Sequence, residues 1–552
     1  MRRHLAFALG VFFASAFFSK AATPTAGPEI ALQVSALLPE TLETGVTAGR
    51  LFIYFAPTAQ SEPRFQSNTS LFGLDTHGVK AGQRLLVPLT TAGAPEQTLR
   101  DLAPGDYYVQ AVFNVLTEFH RADGHVIWAH MDQWEGQNFA RSPGNLLSTP
   151  QKIHIGPEAP TSIVLPLANI IPSIEVPADT AWVKRIKFQS PLLSKFWGHP
   201  MHLGATILLP KDYDQHPDVH YPVVYIQNHF SIAAPFGFNP AVTSEGSTGS
   251  SRKRAPSDDT GQIDKGAGFS EAWQSADFSR MILVTFQHPT PYFDDSYGVN
   301  SPNCGPYGDA ILQELMPALE ARFRMIKAEY ARVLTGSSTG GWGSLALQLY
   351  YPEVFGGAWA FSPDPVDFRL YYGGVNIYAE ENAFVEKTTP GLEGGATMNR
   401  RSSQRAAVLG TQEGRFEWWK HTSVGPDGYP LPVWDLKTGK INRTVVEAMR
   451  VNNFDLREYL SRRWPQIGSK LEGKLHVYAA AVDSFYSNFA VRLLDEFMQT
   501  TQNPHDAGSF HYGPPSSRHG WQPMTNVELL REIDRHIAAR APASAKPATW
   551  HY

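Results

Sequence analysis

The segment Arg332-Val333-Leu334-Thr335-Gly336-Ser337-Ser338-Thr339-Gly340-Gly341-Trp342-Gly343-Ser344-Leu345-Ala346-Leu347 joins an apolar β-type run to a helical pattern through a cluster of small residues. Its centre, Gly336-Ser337-Ser338-Thr339-Gly340, is a G-x-S-x-G motif. A strand before such a motif and a helix after it are what a nucleophile elbow requires. The central serine then sits on a strained strand-to-helix turn, and small neighbours let the backbone pass closely. Ser338 is the expected nucleophile. It heads a helix whose dipole, with the backbone N–H of Thr339, can stabilise an oxyanion.

The partners of such a serine follow it in the order acid, then histidine. The apolar run Leu475–Ala481 ends just before Val482-Asp483-Ser484-Phe485. A carboxylate past the C-terminal end of a strand lies on the same rim as the elbow, so Asp483 is the expected acid. Its role is to orient the histidine and stabilise the imidazolium. Asp364 and Asp367, after the run ending at Phe361, are the rival acids. His519 lies in Ser516-Ser517-Arg518-His519-Gly520-Trp521, between an expected last strand near Gly508–Tyr512 and a C-terminal helical pattern. It is the expected base, with His505 and His511 as competitors.

Outward from these residues, apolar β-branched runs alternate with helical segments from about residue 183 onward, the pattern of an α/β sheet. Expected strands are Gly204–Leu209, Val223–Gln227, Met281–Phe286, Arg332–Thr335, Ala358–Phe361 and Leu475–Ala481. Expected helices are Ala310–Phe323, Gly341–Tyr351, Ser487–Thr500 and Asn526–Ala538. Before residue 170 the pattern differs. Short β-type runs (Ile30–Val34, Leu51–Ala56, Arg84–Pro88, Tyr107–Val115, Ile163–Leu167) are separated by turn signals and by no long helical pattern, which predicts an all-β, sandwich-like domain. The division expected is a signal peptide over 1–21, a β-sandwich-like accessory domain over 22–175 and an α/β domain over 183–545, with a linker around Ile171–Thr180. An insertion or cap is expected at about 363–472, and Ser244–Gln262, rich in Ser, Gly, Thr and charge, is expected to be a mobile loop.

Several stretches resemble the putative esterase family of α/β-hydrolases, which includes esterase D, enterochelin esterases, feruloyl esterases and mycolyltransferases. Tyr221-Pro-Val-Val-Tyr-Ile-Gln-Asn-His-Phe resembles the strand carrying the first oxyanion element. Ile311-Leu-Gln-Glu-Leu-Met-Pro-Ala-Leu-Glu resembles the helix before the nucleophile strand, and Gly336–Gly341 the elbow. Tyr351-Pro-Glu-Val-Phe-Gly-Gly resembles the end of the helix after it, and Asp483 through Leu494 the acid-bearing turn and its helix. The resemblance covers about 183–540 in blocks. It implies an α/β-hydrolase domain acting on carboxylic esters through an acyl-enzyme. Members commonly carry His-Gly after the third strand, where this chain has His229-Phe230. The expected oxyanion donors are therefore the backbone N–H groups of Phe230 and Thr339. Trp418-Trp419-Lys420-His421, inside the insertion, is a candidate aromatic wall for a sugar or phenolic acyl group.

Composition narrows the function classes. The 552 residues carry 47 Lys+Arg against 52 Asp+Glu, a net charge of −5, which does not suit a nucleic-acid binder. Arg2-Arg3, an apolar run from Leu5 to Phe18 and Ser19-Lys20-Ala21 read as a secretory signal, so the protein is expected to be exported, periplasmic or secreted, with no membrane span after cleavage. The single cysteine, Cys304, can form no internal disulfide and is expected to be buried. His199-x-x-His202, with His216 and His220, lacks a completing carboxylate pattern, and no metal is expected. No nucleotide-binding glycine fingerprint is present, and the serine chemistry needs no cofactor. The expected function is an exported serine esterase acting on a small-molecule, carbohydrate-linked or siderophore ester. The alternatives are an acyltransferase using the same three residues and a non-catalytic binding protein on a hydrolase scaffold.

Overall fold

The structure is a computed structural model that describes residues 32–43, 45–130, 139–156, 161–241, 267–292, 294–379, 381–410, 424–425, 427–545 and 550–552. The expected signal peptide, the Ser244–Gln262 loop and the Trp418–His421 cluster lie outside the described residues.

One sheet of eight strands organises the second part of the chain. Its strands are β1 (Val183–Gln189), β2 (His202–Leu208), β3 (Val223–Gln227), β4 (Ile282–Gln287), β5 (Arg332–Ser337), β6 (Gly357–Phe361), β7 (Leu475–Ala479) and β8 (Gly508–Tyr512). Their spatial order is β1-β2-β4-β3-β5-β6-β7-β8. β2 runs antiparallel to both of its neighbours, and every pair from β4 to β8 is parallel. The inner strands are buried on both faces, which explains why Val223–Gln227, Ile282–Gln287 and Gly357–Phe361 read as near-continuous apolar runs rather than alternations. All the parallel strands point their C-terminal ends to one rim, the edge where open α/β sheets place ligands.

Helices α1 (Pro191–Trp197), α2 (Ala267–Gln274), α3 (Thr339–Tyr350), α4 (Gly395–Leu409), α5 (Arg443–Val451), α6 (Leu456–Leu471), α7 (Ser487–Thr500) and α8 (Asn526–Arg540) surround or extend this sheet. The helix expected at Ala310–Phe323 is present at 307–322 but contains a π-turn at Ile311–Leu315. Pro317, without an N–H, removes one i→i−4 bond there, and the wider turn accommodates the loss. The region after Phe361 supplies α4, α5 and α6; α5 and α6 share an apolar cluster with β7 through residues such as Val445, Met449, Leu460 and Val477, whereas Val408 of α4 packs with Phe52, Tyr54 and Leu71.

The first part of the chain forms two further sheets. Leu32–Leu37 pairs in parallel with Thr161–Pro166 and antiparallel with Arg84–Val87. The larger sheet is built on the long strand Gly105–His120, which pairs antiparallel with Ala48–Ala56 and with Gln151–Ile155. Val34, Leu85 and Ile163 from the small sheet share one apolar cluster with Ile53, Phe72 and Phe113 from the large one. Residues 172–181 carry no helix or strand and are exposed.

Candidate active site

Ser338 follows β5 directly and precedes α3, with φ 58° and ψ −122°. That region is costly for any residue with a Cβ, and strain of this kind concentrates at functional sites. The surroundings over-determine the turn. Ser338 N–H donates to the carbonyl of Phe361 at 2.9 Å, and the Ser338 carbonyl accepts from Trp342 N–H at 3.0 Å. A Cβ on Gly340 would stand 2.1 Å from the Gln227 carbonyl oxygen, and one on Gly336 2.5 Å from the backbone of Gly340. Elbow and post-β3 loop therefore meet backbone to backbone, which only glycine allows.

Three loops on the sheet rim bring the sequence-predicted residues together. His519, in the loop after β8, has Nε2 2.9 Å from Ser338 Oγ. Its Nδ1 lies 2.7 Å from Oδ2 of Asp483, in the loop after β7. The Asp483 side chain is fully buried and that of His519 is 17% exposed, so the pair is screened while the imidazole edge still reaches the surface. The Phe485 ring packs edge-on against the imidazole with centroids 4.7 Å apart. Burial by itself would lower the His519 pKa, but the hydrogen bond and charge of Asp483, with the charge of Asp364, outweigh it and leave it above the ordinary histidine value.

The competing residues lie elsewhere or play other parts. His505 Nδ1 faces the Thr501 carbonyl at 3.0 Å, and His511 stacks on Tyr478. Asp367 pairs with Arg369 at 2.5 Å. Asp364, the other rival acid, is at the site: its Oδ1 is 3.4 Å from Ser338 Oγ and its Oδ2 3.3 Å from Thr339 Oγ1. Tyr297, in the loop after β4, donates its hydroxyl to the same Oδ2. No local signal in the sequence marks Tyr297, because its contact with Asp364 spans 67 residues.

Phe230 lies in the loop after β3, partly exposed, and Thr339 is buried at the first position of α3. The residue before Phe230, His229, is half-exposed and ties this loop to the next one: its Nδ1 lies 3.1 Å from Asp294 and 2.7 Å from Asp295. Hydrogen bonds from Nδ1 to these carboxylates hold the imidazolium and push its pKa up to about 11. Among the described residues this trio is the group whose ligand-type atoms converge, within 4.8 Å. The ion pair accounts for that convergence without a metal. His199 and His216 have other neighbours, Phe119 and Tyr552 respectively. Cys304 is fully buried, and burial raises its thiol far above the usual range. A cavity of about 370 Å³ adjoins the elbow on the side of Ser337, lined by Ile226, Asn228, Ser231, Thr335 and Asn526 among others. Among the described residues, no helix is long and apolar enough to cross a membrane.

Residues 198–496, more than half of the chain, match the family model described as Putative esterase. Similar solved structures include a ferulic acid esterase, at 15% identity over 64% of this chain and 99% of the other, with a TM-score of 0.37. An S-formylglutathione hydrolase from Agrobacterium tumefaciens is similar at 12% identity over 65% of this chain and 97% of the other, with a TM-score of 0.31. A ferulic acid esterase from Anaeromyces mucronatus is similar at 13% identity over 61% and 84%, with a TM-score of 0.28. No curated protein matches the chain. With an elbow on the rim of an eight-stranded sheet and the family model spanning that sheet from β2 to α7, the chain belongs to the putative esterase family of α/β-hydrolases and is a carboxylic ester hydrolase.

Proposed function

We propose that the chain is an exported serine esterase whose nucleophile, base and acid are Ser338, His519 and Asp483. The observation that carries this reading is the unbroken line from Asp483 Oδ2 to His519 Nδ1 at 2.7 Å and from His519 Nε2 to Ser338 Oγ at 2.9 Å. Ser338 Oγ attacks the ester carbonyl carbon while its proton passes to His519 Nε2. Asp483 holds the imidazole in the tautomer that can accept that proton and stabilises the imidazolium. The carbonyl oxygen, now an oxyanion, is received by the N–H groups of Thr339, at the N-terminus of α3, and of Phe230, in the loop after β3. Collapse of the intermediate breaks the bond to the alcohol, which leaves with the proton from His519. Water then gives a proton to His519 and adds to the acyl carbon, and the acid departs as Ser338 recovers its proton.

This reading keeps the expected division into a β-sandwich-like accessory domain over 22–175 and a catalytic domain over 183–545. Two sheets sharing one apolar cluster, followed by an exposed stretch without regular structure, support that division. Export and an accessory domain suit a bulky extracellular ester, carbohydrate-linked or siderophore-derived, with Trp418 and Trp419 as substrate contacts. The test is release of p-nitrophenol from p-nitrophenyl esters, extended to acetyl, feruloyl and longer acyl groups. Wild type should give a burst followed by turnover, and Ser338→Ala neither. Equal, minimal release by both proteins would sink the esterase reading.

A further inference from the structure

Asp364 is a carboxyl group 4% exposed and one hydrogen bond from the nucleophile, yet it has no place in the Asp483–His519–Ser338 line. It is tied to the elbow twice. Its backbone N–H donates to the Ser338 carbonyl at 3.3 Å, its Oδ1 lies 3.4 Å from Ser338 Oγ, and its Oδ2 accepts from the Thr339 hydroxyl. From the other side it accepts the hydroxyls of Tyr297, in the loop after β4, and Tyr372, in the region after β6. Among the described residues no lysine or arginine forms an ion pair with it. Burying a carboxylate without a cation is costly. The charges that face it are those of His519, which attracts it, and Asp295, which repels it. Its one attractive charge is thus the imidazolium that exists while Ser338 has given up its proton.

On the reading that Ser338 and His519 are nucleophile and base, we propose that Asp364 is a positioning residue: held by Tyr297, it supplies a second negative charge that stabilises the His519 imidazolium. Asp483 acts on the Nδ1 side of that ring, and Asp364 acts from the side of the elbow. This role has two consequences of opposite direction. A charge that stabilises the imidazolium speeds the step in which it forms. The same charge also holds the free enzyme's His519 protonated to higher pH, where it cannot act as base. Burial works against the charge of Asp364 and leaves its pKa above the ordinary carboxyl value, although the hydrogen bonds of Tyr297 and Tyr372 and the charge of His519 pull it down.

The experiment compares wild type, Asp364→Asn and Tyr297→Phe, with Ser338→Ala as the blank. The readouts are kcat and KM on a p-nitrophenyl ester, the rate of Ser338 labelling by a fluorophosphonate across pH, and thermal melting. Asp364→Asn should lower the plateau kcat by about tenfold with little change in KM, and move the acid limb of labelling to lower pH by up to about one unit. Tyr297→Phe should shift both in the same directions by less. A lowered plateau with the acid limb unmoved and a lower melting temperature would leave Asp364 a purely structural residue and overturn the proposal. Unchanged rates and limb would overturn it too. If Asp364→Asn fails to fold, an unmoved acid limb in Tyr297→Phe has the same force. Wild type that is not labelled at Ser338 refutes the esterase reading itself, whereas labelled wild type with an indifferent Asp364→Asn refutes only the role of Asp364.

Discussion

His519 carries the clearest single-residue consequence. Burial opposes its protonation, but Asp483 at 2.7 Å and the charge of Asp364 favour it, and the balance lies above the ordinary value of 6.5. On the proposed reading His519 must be neutral to take the Ser338 proton, so activity is retained above the folded pKa and lost as pH falls through it. The acid limb of kcat/KM should therefore have its midpoint above pH 6.5, measured on an ester whose own hydrolysis is slow in that range. A midpoint below that value would mean that burial dominates the ring. At this scale Ser338, Asp483 and His519 were legible, because each sits at a fixed place relative to a strand: directly after β5, in the loop after β7 and in the loop after β8. Asp364 was visible only as a rival acid after β6. Its pairing with Tyr297 was not, since the two residues meet solely because the loops after β4 and β6 fold over the same elbow.

Among the elements, α3 is the one whose position decides the site. Its first turn is made of Thr339, Gly340, Gly341, Trp342 and Gly343, and the glycines face backbone rather than side chains. Gly340 abuts the carbonyl of Gln227, and Gly343 would place a Cβ 2.8 Å from the Tyr297 carbonyl. Gly340→Ala should therefore push α3 away from the post-β3 loop that carries His229 and Phe230. Overpacking of this kind costs about 1–3 kcal/mol. A lower denaturation midpoint accompanied by a kcat loss larger than the change in folded fraction would mark a displaced post-β3 loop, and an unchanged kcat in the folded fraction would exclude it. The buried parallel strands were readable because burial on both faces leaves an uninterrupted apolar run, and Val223–Gln227 matches its expected span residue for residue. β1 was not foreseen: Val-Lys-Arg-Ile-Lys-Phe-Gln is an edge strand in which Lys184, Arg185 and Lys187 dilute the apolar pattern. α6 was hidden for a different reason, since Pro465 in its interior reads as a helix breaker. The region after Phe361 was expected to be an insertion or cap by its length alone, and α5 and α6 within it bury their apolar faces in one cluster with β7 and α7, a partnership that local pattern does not disclose.

At the scale of the whole molecule, the two parts of the chain are joined by more than the exposed stretch at 172–181. The strands Gly105–His120 and Val126–Ala129 form a hairpin whose far end reaches the catalytic part. Phe119, Ile127 and Ala129 from that hairpin belong to the same apolar cluster as Trp197, Leu203 and Phe286. The Phe119 ring meets Trp197 edge-on with centroids 5.6 Å apart. At the tip of the hairpin, Arg121 donates to the carbonyls of Pro302 at 2.7 Å and Gly428 at 3.3 Å, and lies over the ring of Phe196. A second tie forms at Arg50, whose guanidinium donates twice to the Val408 carbonyl at the end of α4. Parts that share a core in this way melt together, because exposing one face of the cluster removes apolar contacts from both sides. Phe119→Ala, a truncation in the shared cluster far from Ser338, should cost about 3–5 kcal/mol. Calorimetry of the full chain should show one transition, and the substitution should lower it together with the temperature at which esterase activity disappears. Two separate transitions, with activity lost in the one that Phe119→Ala leaves untouched, would mean that the catalytic sheet does not depend on the hairpin for its stability.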